Sequence, residues 1–391
     1  MRTRRSTTTC SVRCSKKIKG KGRITKPDVG RAGRFPAARF SASLLRWFRK
    51  AARKMEWRET SDPYRIWVSE IMLQQTRADT VAGYYSRFLA RFPDVKSLAS
   101  AKVDDVLSAW EGLGYYARAR NLHKAAGIVA GRFGGTLPAA AEVLASLPGI
   151  GRSTAGAIAS IAFGRDEPIL DANVRRVVAR LFAVRGSLRT ASAEKWLWRY
   201  SSSLIAKGKG RETALALMDL GAGVCLPASP RCPVCPVRAF CAAFRDGIQG
   251  EIPSRPPRRA VPHHDIVAAL IRRDGGYFLL RRPEDGLLGG LWSFPSGRRL
   301  PGESLEAALR RAIREKLGLR IAIQGEAGTV RHAYSHFRIT LHGFFCTVIR
   351  GKLPSGEGTC WLAQGSASGP AMPAADRKLM ESRCTPRDGR L

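Results

Sequence analysis

At 391 residues and 44% hydrophobic content, the chain is long enough for two ordinary domains, each with its own core. Lysine and arginine outnumber aspartate and glutamate by 67 to 31, a formal charge of +36 that exceeds what solubility needs and has the sign that condenses onto phosphate backbones, so nucleic acid is the expected partner. No apolar run approaches a bilayer span and no secretion signal opens the chain, which argues against a membrane or secreted protein and for reduced cysteines.

Residues 1–39 are expected to form a disordered basic arm. The first 34 residues hold twelve Lys or Arg against the single Asp28, with Ser, Thr and Gly between them and almost nothing to bury. The arm contributes +11, which leaves +25 on the remainder, so the basic character is not confined to a tail. An Arg-rich, Ser- and Thr-rich start leaves organelle targeting open beside a cytoplasmic location. Cys10 and Cys14 lie in this arm without the further ligands a metal site needs.

Residues 40–245 read as one helical domain, with apolar residues at three and four spacing and Gly or Pro punctuation. Asp62-Pro63 is a helix start, with Asp as N-cap and Pro in the first turn. At helical spacing Glu70 shares a face with Ile66, Trp67 and Leu73, where desolvation would raise its pKa and make it a general acid; the same spacing allows it to lie solvated at the stripe's edge. Leu147-Pro148-Gly149-Ile150-Gly151-Arg152-Ser153 reads as a helix-hairpin-helix turn whose amides can hold a DNA phosphate without reading sequence. Twenty residues after Gly151 stands Asp171, an acidic residue opening a helix between apolar stretches, which can serve as an N-cap as well as a functional carboxylate.

Cys225, Cys232, Cys235 and Cys241 close this region with a C-x6-C-x2-C-x5-C run. Four thiolates at close spacing match the one ligand per iron that a [4Fe–4S] cluster requires. A structural zinc site would pair two short knuckles or use His, and only one short knuckle is present. Residues 246–262, rich in Pro, Gly and charge, are expected to be a linker. From 263 to 391 strand signals dominate: Asp265–Leu270 and Tyr277–Leu280 flank an Asp274-Gly275-Gly276 turn, and Phe337–Val348 runs apolar. One helix interrupts them, capped by Ser304 with the stripe Leu305, Ala308, Leu309, Ala312 and Leu317, which makes the second domain α+β.

The hairpin, Asp171 and the four-cysteine loop, in this order, resemble the helix-hairpin-helix DNA glycosylase superfamily, and Glu70 with Leu73-Gln74-Gln75-Thr76 narrows the likeness to the MutY adenine DNA glycosylases. The likeness extends over roughly residues 40–350 and includes the Gly112–Arg120 segment, Asp171-Ala172-Asn173-Val174, Leu288–Pro295 and His332–His336. It implies a multidomain protein: an all-α glycosylase domain with its cluster loop at 225–241, then an α+β Nudix-like domain that recognises 8-oxoguanine. It also implies a monofunctional enzyme that flips adenine out of double-stranded DNA, from mispairs with 8-oxoguanine or guanine, and hydrolyses its N-glycosidic bond. By this resemblance Glu70 protonates adenine, Asp171 stabilises the cationic sugar and Asn173 helps fix the site. Trp57, Arg58, Gln74, Gln75, Thr76, Leu113, Tyr115, Gly149, Gly151 and Ser153 match family positions at the DNA or the flipped base, and Tyr334-Ser335-His336 matches the segment that probes 8-oxoguanine. A monomeric, cytoplasmic, nucleoid-associated bacterial enzyme with a [4Fe–4S] cofactor follows, with no membrane association.

Three features bear on rival activities. Ser153 stands where endonuclease III-like lyases, which act on oxidised pyrimidines, place a Schiff-base lysine, and a serine cannot form that imine. In the second domain Gly297, Glu303, Arg311, Glu315 and Gly318-Leu319 keep Nudix spacing, but Ala312 and Lys316 replace carboxylates that would hold Mg²⁺, so nucleotide hydrolysis is not expected. Leu215 replaces a family Gln or Glu at the adenine and Ala172 a family Gly beside Asp171, departures that would suit a catalytically impaired lesion-binding protein.

Overall fold

A computed structural model describes residues 35–254, 260–363 and 369–381. The expected arm through residue 34, with Cys10 and Cys14, lies outside the described residues, as do residues 255–259 of the linker. The last three residues assigned to the arm are helical, because α1 (Ala37–Ala51) starts directly after Pro36 and buries Phe40, Leu44 and Leu45. That stripe supplies enough apolar contact to order the chain earlier than its charge suggests.

Helices α2 (Pro63–Leu73), α3 (Ala78–Arg91), α4 (Val95–Ser100), α5 (Val103–Ala109), α6 (Ala117–Arg132) and α7 (Ala141–Ala145) precede the hairpin, and α8 (Arg152–Phe163) follows it. Then come α9 (Ala172–Leu181), α10 (Ala191–Ser203), α11 (Gly210–Asp219) and the short α12 (Ala242–Arg245). Two apolar cores form where the sequence suggested one domain with one core. Trp67, Val68, Ile71 and Met72 of α2 and Ile158 of α8 belong to the first core. Ile66 of α2 and Ala157 and Ile161 of α8 belong to the second. These two helices bury opposite faces in different cores and form the spine between them. Glu70 belongs to neither of these packed faces and is partly exposed.

The second domain is a seven-stranded mixed sheet of β1 (His263–Arg273), β2 (Gly276–Arg281), β3 (Trp292–Ser293), β4 (Ser296–Arg298), β5 (Arg320–Ala333), β6 (Arg338–Arg350) and β7 (Thr359–Ala363), with path order β3-β2-β1-β6-β5. Strand β1 runs parallel to β6, and the other pairings are antiparallel. Its side chains alternate between two helices. Val267, Ala269 and Ile271 pack with Ala308, Leu309 and Ile313 of α13 (Leu305–Leu317), whereas Ala268 and Leu270 pack with Ala375 and Leu379 of α14 (Ala374–Glu381). Both faces are therefore covered, which explains the unbroken apolar run in β1. The sequence suggested one helix in this domain; α14 is a second, short and half polar.

The domains meet over a polar and apolar junction. Leu291 and Ala371 complete the first helical core. Arg377 grips Glu111 through two bonds of 2.9 and 3.0 Å, Arg281 meets Asp104 at 3.0 Å, and Arg120 donates to the Gly289 and Glu284 carbonyls.

Candidate active site

Asp62 starts α2 as expected, its carboxylate accepting the amides of Tyr64 at 2.8 Å and Arg65 at 3.3 Å. Two turns on, Glu70 is only partly exposed, among the buried Ile66, Trp67 and Ile71. Burial pushes its carboxyl up to about 7; the charge of Asp171 acts in the same direction and that of Arg58 opposes it. Of the two readings the spacing left open, the desolvated one describes the structure.

Asp171 caps α9 and accepts the Val174 amide at 2.7 Å. Burial raises its pKa as well, but the Val174 and Asn173 amides pull against the rise because they bond to the charged form. No such donor holds the Glu70 anion among the described residues, and two neighbouring carboxyls cannot both ionise without mutual repulsion. Burial and the neighbouring Asp171 thus both favour the neutral form of Glu70, whereas the helix amides favour the charged form of Asp171. Ala172 has a negative φ, so its methyl fits where a glycine was the family expectation.

The segment leading into Asp171 is pinned on both sides: the Leu170 amide donates to Ser153 Oγ at 3.0 Å, and Ser201 Oγ donates to the Ile169 carbonyl at 2.7 Å. Ser153, at the start of α8, thus joins the hairpin to the segment that leads into Asp171. Gly149 has φ +78° and faces Asn121, where an added Cβ would come within 2.7 Å of the Asn121 Cβ. Gly151 is extended with open space beside it, so its missing side chain leaves room for something outside the chain. Gln74 Nε2 donates to the Gly149 carbonyl and to Thr154 Oγ1 at 3.3 and 3.2 Å, tying α2 to the same turn.

Asn173, in the first turn of α9, links the Asp171 cap to the cysteine loop. Its Oδ1 accepts from Arg176 Nη2 at 2.9 Å, and the same guanidinium donates to the Gly221 and Cys225 carbonyls, each at 2.7 Å. Arg180, nearly fully buried, reaches Cys225 Sγ at 3.3 Å and the Leu226 and Ile252 carbonyls at 2.7 Å. The turn Leu220–Val224 is a π-helix that carries the chain from α11 to Cys225. All four cysteines are free and line one cavity, with Arg180 and Arg238 beside them. Among the described residues, no three His, Cys, Asp or Glu side chains converge closely enough to hold a single ion. Four thiols lining one cavity supply the one ligand per iron that a four-iron cluster would need.

Arg118 organises the residues assigned to the DNA. It donates to the Ile71, Met72 and Gln74 carbonyls and to Thr76 Oγ1, and also to the Leu113 and Gly114 carbonyls. One buried guanidinium thereby fixes the end of α2 against the 113–115 turn. Gln75 and Tyr115 both have positive φ, +60° and +48°, backbone strain that this clamp sustains. Sequence reasoning did not single out Arg118; its signal was an arginine alternating with alanine at a helix start, Ala117-Arg118-Ala119-Arg120. Trp57 and Leu113 are core residues, 5% and 6% exposed, and support the cleft from behind. Arg58 forms a bidentate pair with buried Asp219, at 2.7 and 2.8 Å, and Arg53 joins it at 2.6 Å. Leu215 is buried in the second core.

From the second domain, Ser335 Oγ accepts from the Tyr115 hydroxyl at 2.7 Å, across 220 positions of sequence. Tyr334 stacks on Phe337, while Ser335 and His336 are exposed. Glu303 and Glu315 both hold Arg311, at 2.8 and 3.1 Å, Ala312 packs against Gly297, and Lys316 donates to the Ser296 carbonyl.

Residues 68–201 match the family model of HhH-GPD superfamily base excision DNA repair proteins, and residues 266–382 match that of the NUDIX domain. The helical part superposes on a thermostable thymine-DNA glycosylase with a TM-score of 0.51 at 29% identity, covering 55% of this chain and 99% of that one. The protein is thus a helix-hairpin-helix base excision repair glycosylase with a Nudix-like second domain. Over 87% of its length it is 32% identical to the adenine DNA glycosylase of Mus musculus and 33% identical to that of Homo sapiens, covering 77% and 73% of those chains. It is 35% identical to the adenine DNA glycosylase of Buchnera aphidicola from Acyrthosiphon pisum over 66% of its length and 73% of the relative's. The chain belongs to the adenine DNA glycosylase family.

Proposed function

We propose that this protein removes adenine from double-stranded DNA where it is mispaired with 8-oxoguanine or guanine, and leaves the abasic strand uncut. The observation that carries this reading is the pair Glu70 and Asp171, neighbouring carboxyls of which burial pushes the first up to about 7 while the second accepts the Val174 amide at the start of its helix. Glu70 donates its proton to the adenine ring, so the base departs neutral. Asp171 faces the sugar as positive charge develops there, and its cap geometry keeps it from turning away. Asn173, held by Arg176, keeps that helix start in place. Ser153 offers a hydroxyl already engaged by the Leu170 amide, which cannot act as a lyase amine.

Gly151 and the hairpin amides take a phosphate, and Gln75, Thr76 and Tyr115, held by Arg118, fill the space of the extruded base. Tyr334, Ser335 and His336 meet the opposite base, with Ser335 placed by Tyr115. Cys225, Cys232, Cys235 and Cys241 hold a [4Fe–4S] cluster, whose chemistry here is to organise the loop between α11 and α12. The enzyme works as a monomer on chromosomal DNA in the bacterial cytoplasm; among the described residues no helix is long and apolar enough to cross a membrane. The test is single-turnover adenine release from a duplex with adenine opposite 8-oxoguanine, comparing the parent with Glu70→Gln. Tight binding without release by the parent would instead mark a lesion-binding protein, and an adduct trapped by borohydride would mark a lyase.

A further inference from the structure

Arg152 follows the open Gly151 of the hairpin and is exposed, yet its guanidinium is not loose. The central carbon lies 4.0 Å from the centre of the Trp198 ring, against 4.8 Å for the next closest cation over a ring among the described residues. Trp198 is itself held. It is 7% exposed, and its Nε1–H donates to Glu194 Oε1, one turn earlier in α10, at 3.0 Å. Glu194 in turn is gripped on both oxygens by Arg175 of α9, at 2.6 and 2.9 Å, and Arg175 also donates to the Leu188 carbonyl at 3.2 Å. That bidentate pair holds the Glu194 carboxyl below its ordinary value, so it stays an anionic acceptor for the indole. Side chains from two helices thus fix one ring face beneath one exposed cation of a third.

A cation on a ring face is held by the ring's quadrupole and keeps its N–H donors for other partners. Among the described residues no hydrogen bond occupies the Arg152 donors, and both Glu194 oxygens are already engaged by Arg175 and Trp198. An arginine that only solvates a surface gains nothing from being immobilised. One that must meet a fixed anion gains affinity by losing its freedom in advance. A guanidinium offers two parallel N–H bonds to the oxygens of a phosphate, and the space beside Gly151 is open to one. We infer that Arg152 is a ligand for a DNA backbone phosphate at the hairpin, and that Trp198, oriented by Glu194, is the positioning residue that holds its guanidinium ready. This rests on the reading of the hairpin as a phosphate holder and names the side chain that supplies its charge.

Binding of the full chain to an undamaged duplex, followed by fluorescence anisotropy over a range of salt concentrations, tests this. Such a duplex carries no mispair, so the outcome does not depend on adenine removal. Arg152→Ala, at an exposed position, is expected to weaken binding alike on every sequence and to reduce the slope of log K against log salt by about 0.9, the share of one phosphate. Trp198→Leu is expected to weaken binding about two- to tenfold at fixed salt, and Trp198→Phe, which keeps a ring face, to recover most of the loss. In the Arg152→Ala background Trp198→Leu is expected to change affinity by less than about twofold, whereas a merely structural tryptophan would weaken both backgrounds equally. A parent that binds duplex, with an unchanged slope in Arg152→Ala, overturns the phosphate ligand. Equal losses from Trp198→Leu in both backgrounds, or no loss in the parent, overturn the platform. A parent without affinity for duplex would overturn the hairpin reading itself.

Discussion

Glu70 acts as an acid only while it holds its proton, so the rate of base release falls as pH rises through about 7. Glu70→Gln removes the proton altogether and lowers the single-turnover rate by about 10²–10⁴-fold, with binding to the mispaired duplex retained. The same raised pKa has a stability consequence of fixed sign. Folded Glu70 keeps its proton to about 7, whereas an ordinary glutamate releases it near 4.5, so the native state binds more protons between those values. Its contribution to stability is fully present below the lower value and lost as pH rises through the upper. Glu70→Gln is therefore expected to melt higher than the parent at pH 8, by up to about 3 kcal/mol, and to match it near pH 4; equal melting at both pH values would refute this. Glu70 was legible because Asp62-Pro63 fixes where the helix starts and hence which face each later residue occupies. Arg118 was not, because its acceptors come from two segments some forty positions apart in sequence.

At the scale of elements, the Ser153 hydroxyl ties the start of the hairpin helix to the segment that leads into the carboxylate helix. Ser153→Ala leaves the Leu170 amide without its acceptor and is expected to cost about 1–3 kcal/mol in denaturant unfolding, with a fall in kcat for adenine release that Ser153→Thr largely restores. The cysteine loop gives a second test: metal analysis of the purified parent should find about four irons per chain, and Cys235→Ser should lower that content together with protease resistance around residues 225–241. Local signals were readable here. Caps at Asp62, Asp171 and Ser304 stand where their sequences place them, since each bond reaches only two or three residues ahead. The parallel pairing of β1 with β6 was hidden, as it joins strands about seventy residues apart with no turn to announce it. Helix α14 was hidden for another reason: its apolar face is recognisable only once the sheet that covers it is in place.

Across the whole molecule, the two domains are joined by directional contacts on both sides of the cleft. Glu111 and Arg377 form the most geometrically constrained pair, bidentate and half-buried. A double-mutant cycle with Glu111→Gln and Arg377→Gln is expected to give a coupling of about 1–2 kcal/mol, above that of an exposed pair. A coupling near zero would assign the junction to the apolar contact of Leu291 and Ala371 instead. The two-domain order and the basic surface were legible from composition, but how the domains meet was not, because the partners at the junction lie more than 150 positions apart.

Asp171 is a helix cap and, by the reading above, the charge that faces the sugar. Asparagine caps helices about as well as aspartate. Of the substitutions open to this position, the one that silences the chemistry is thus the one folding tolerates best. Descendants of this chain could lose catalysis by exchanging one oxygen for an amide while retaining fold, DNA grip and lesion contacts, and neither abundance nor thermal stability would reveal it. A protein that binds mispairs and shields them from repair lies a single neutral-looking step from one that repairs them, so surveys of variants in this family should score Asp171→Asn by turnover alone.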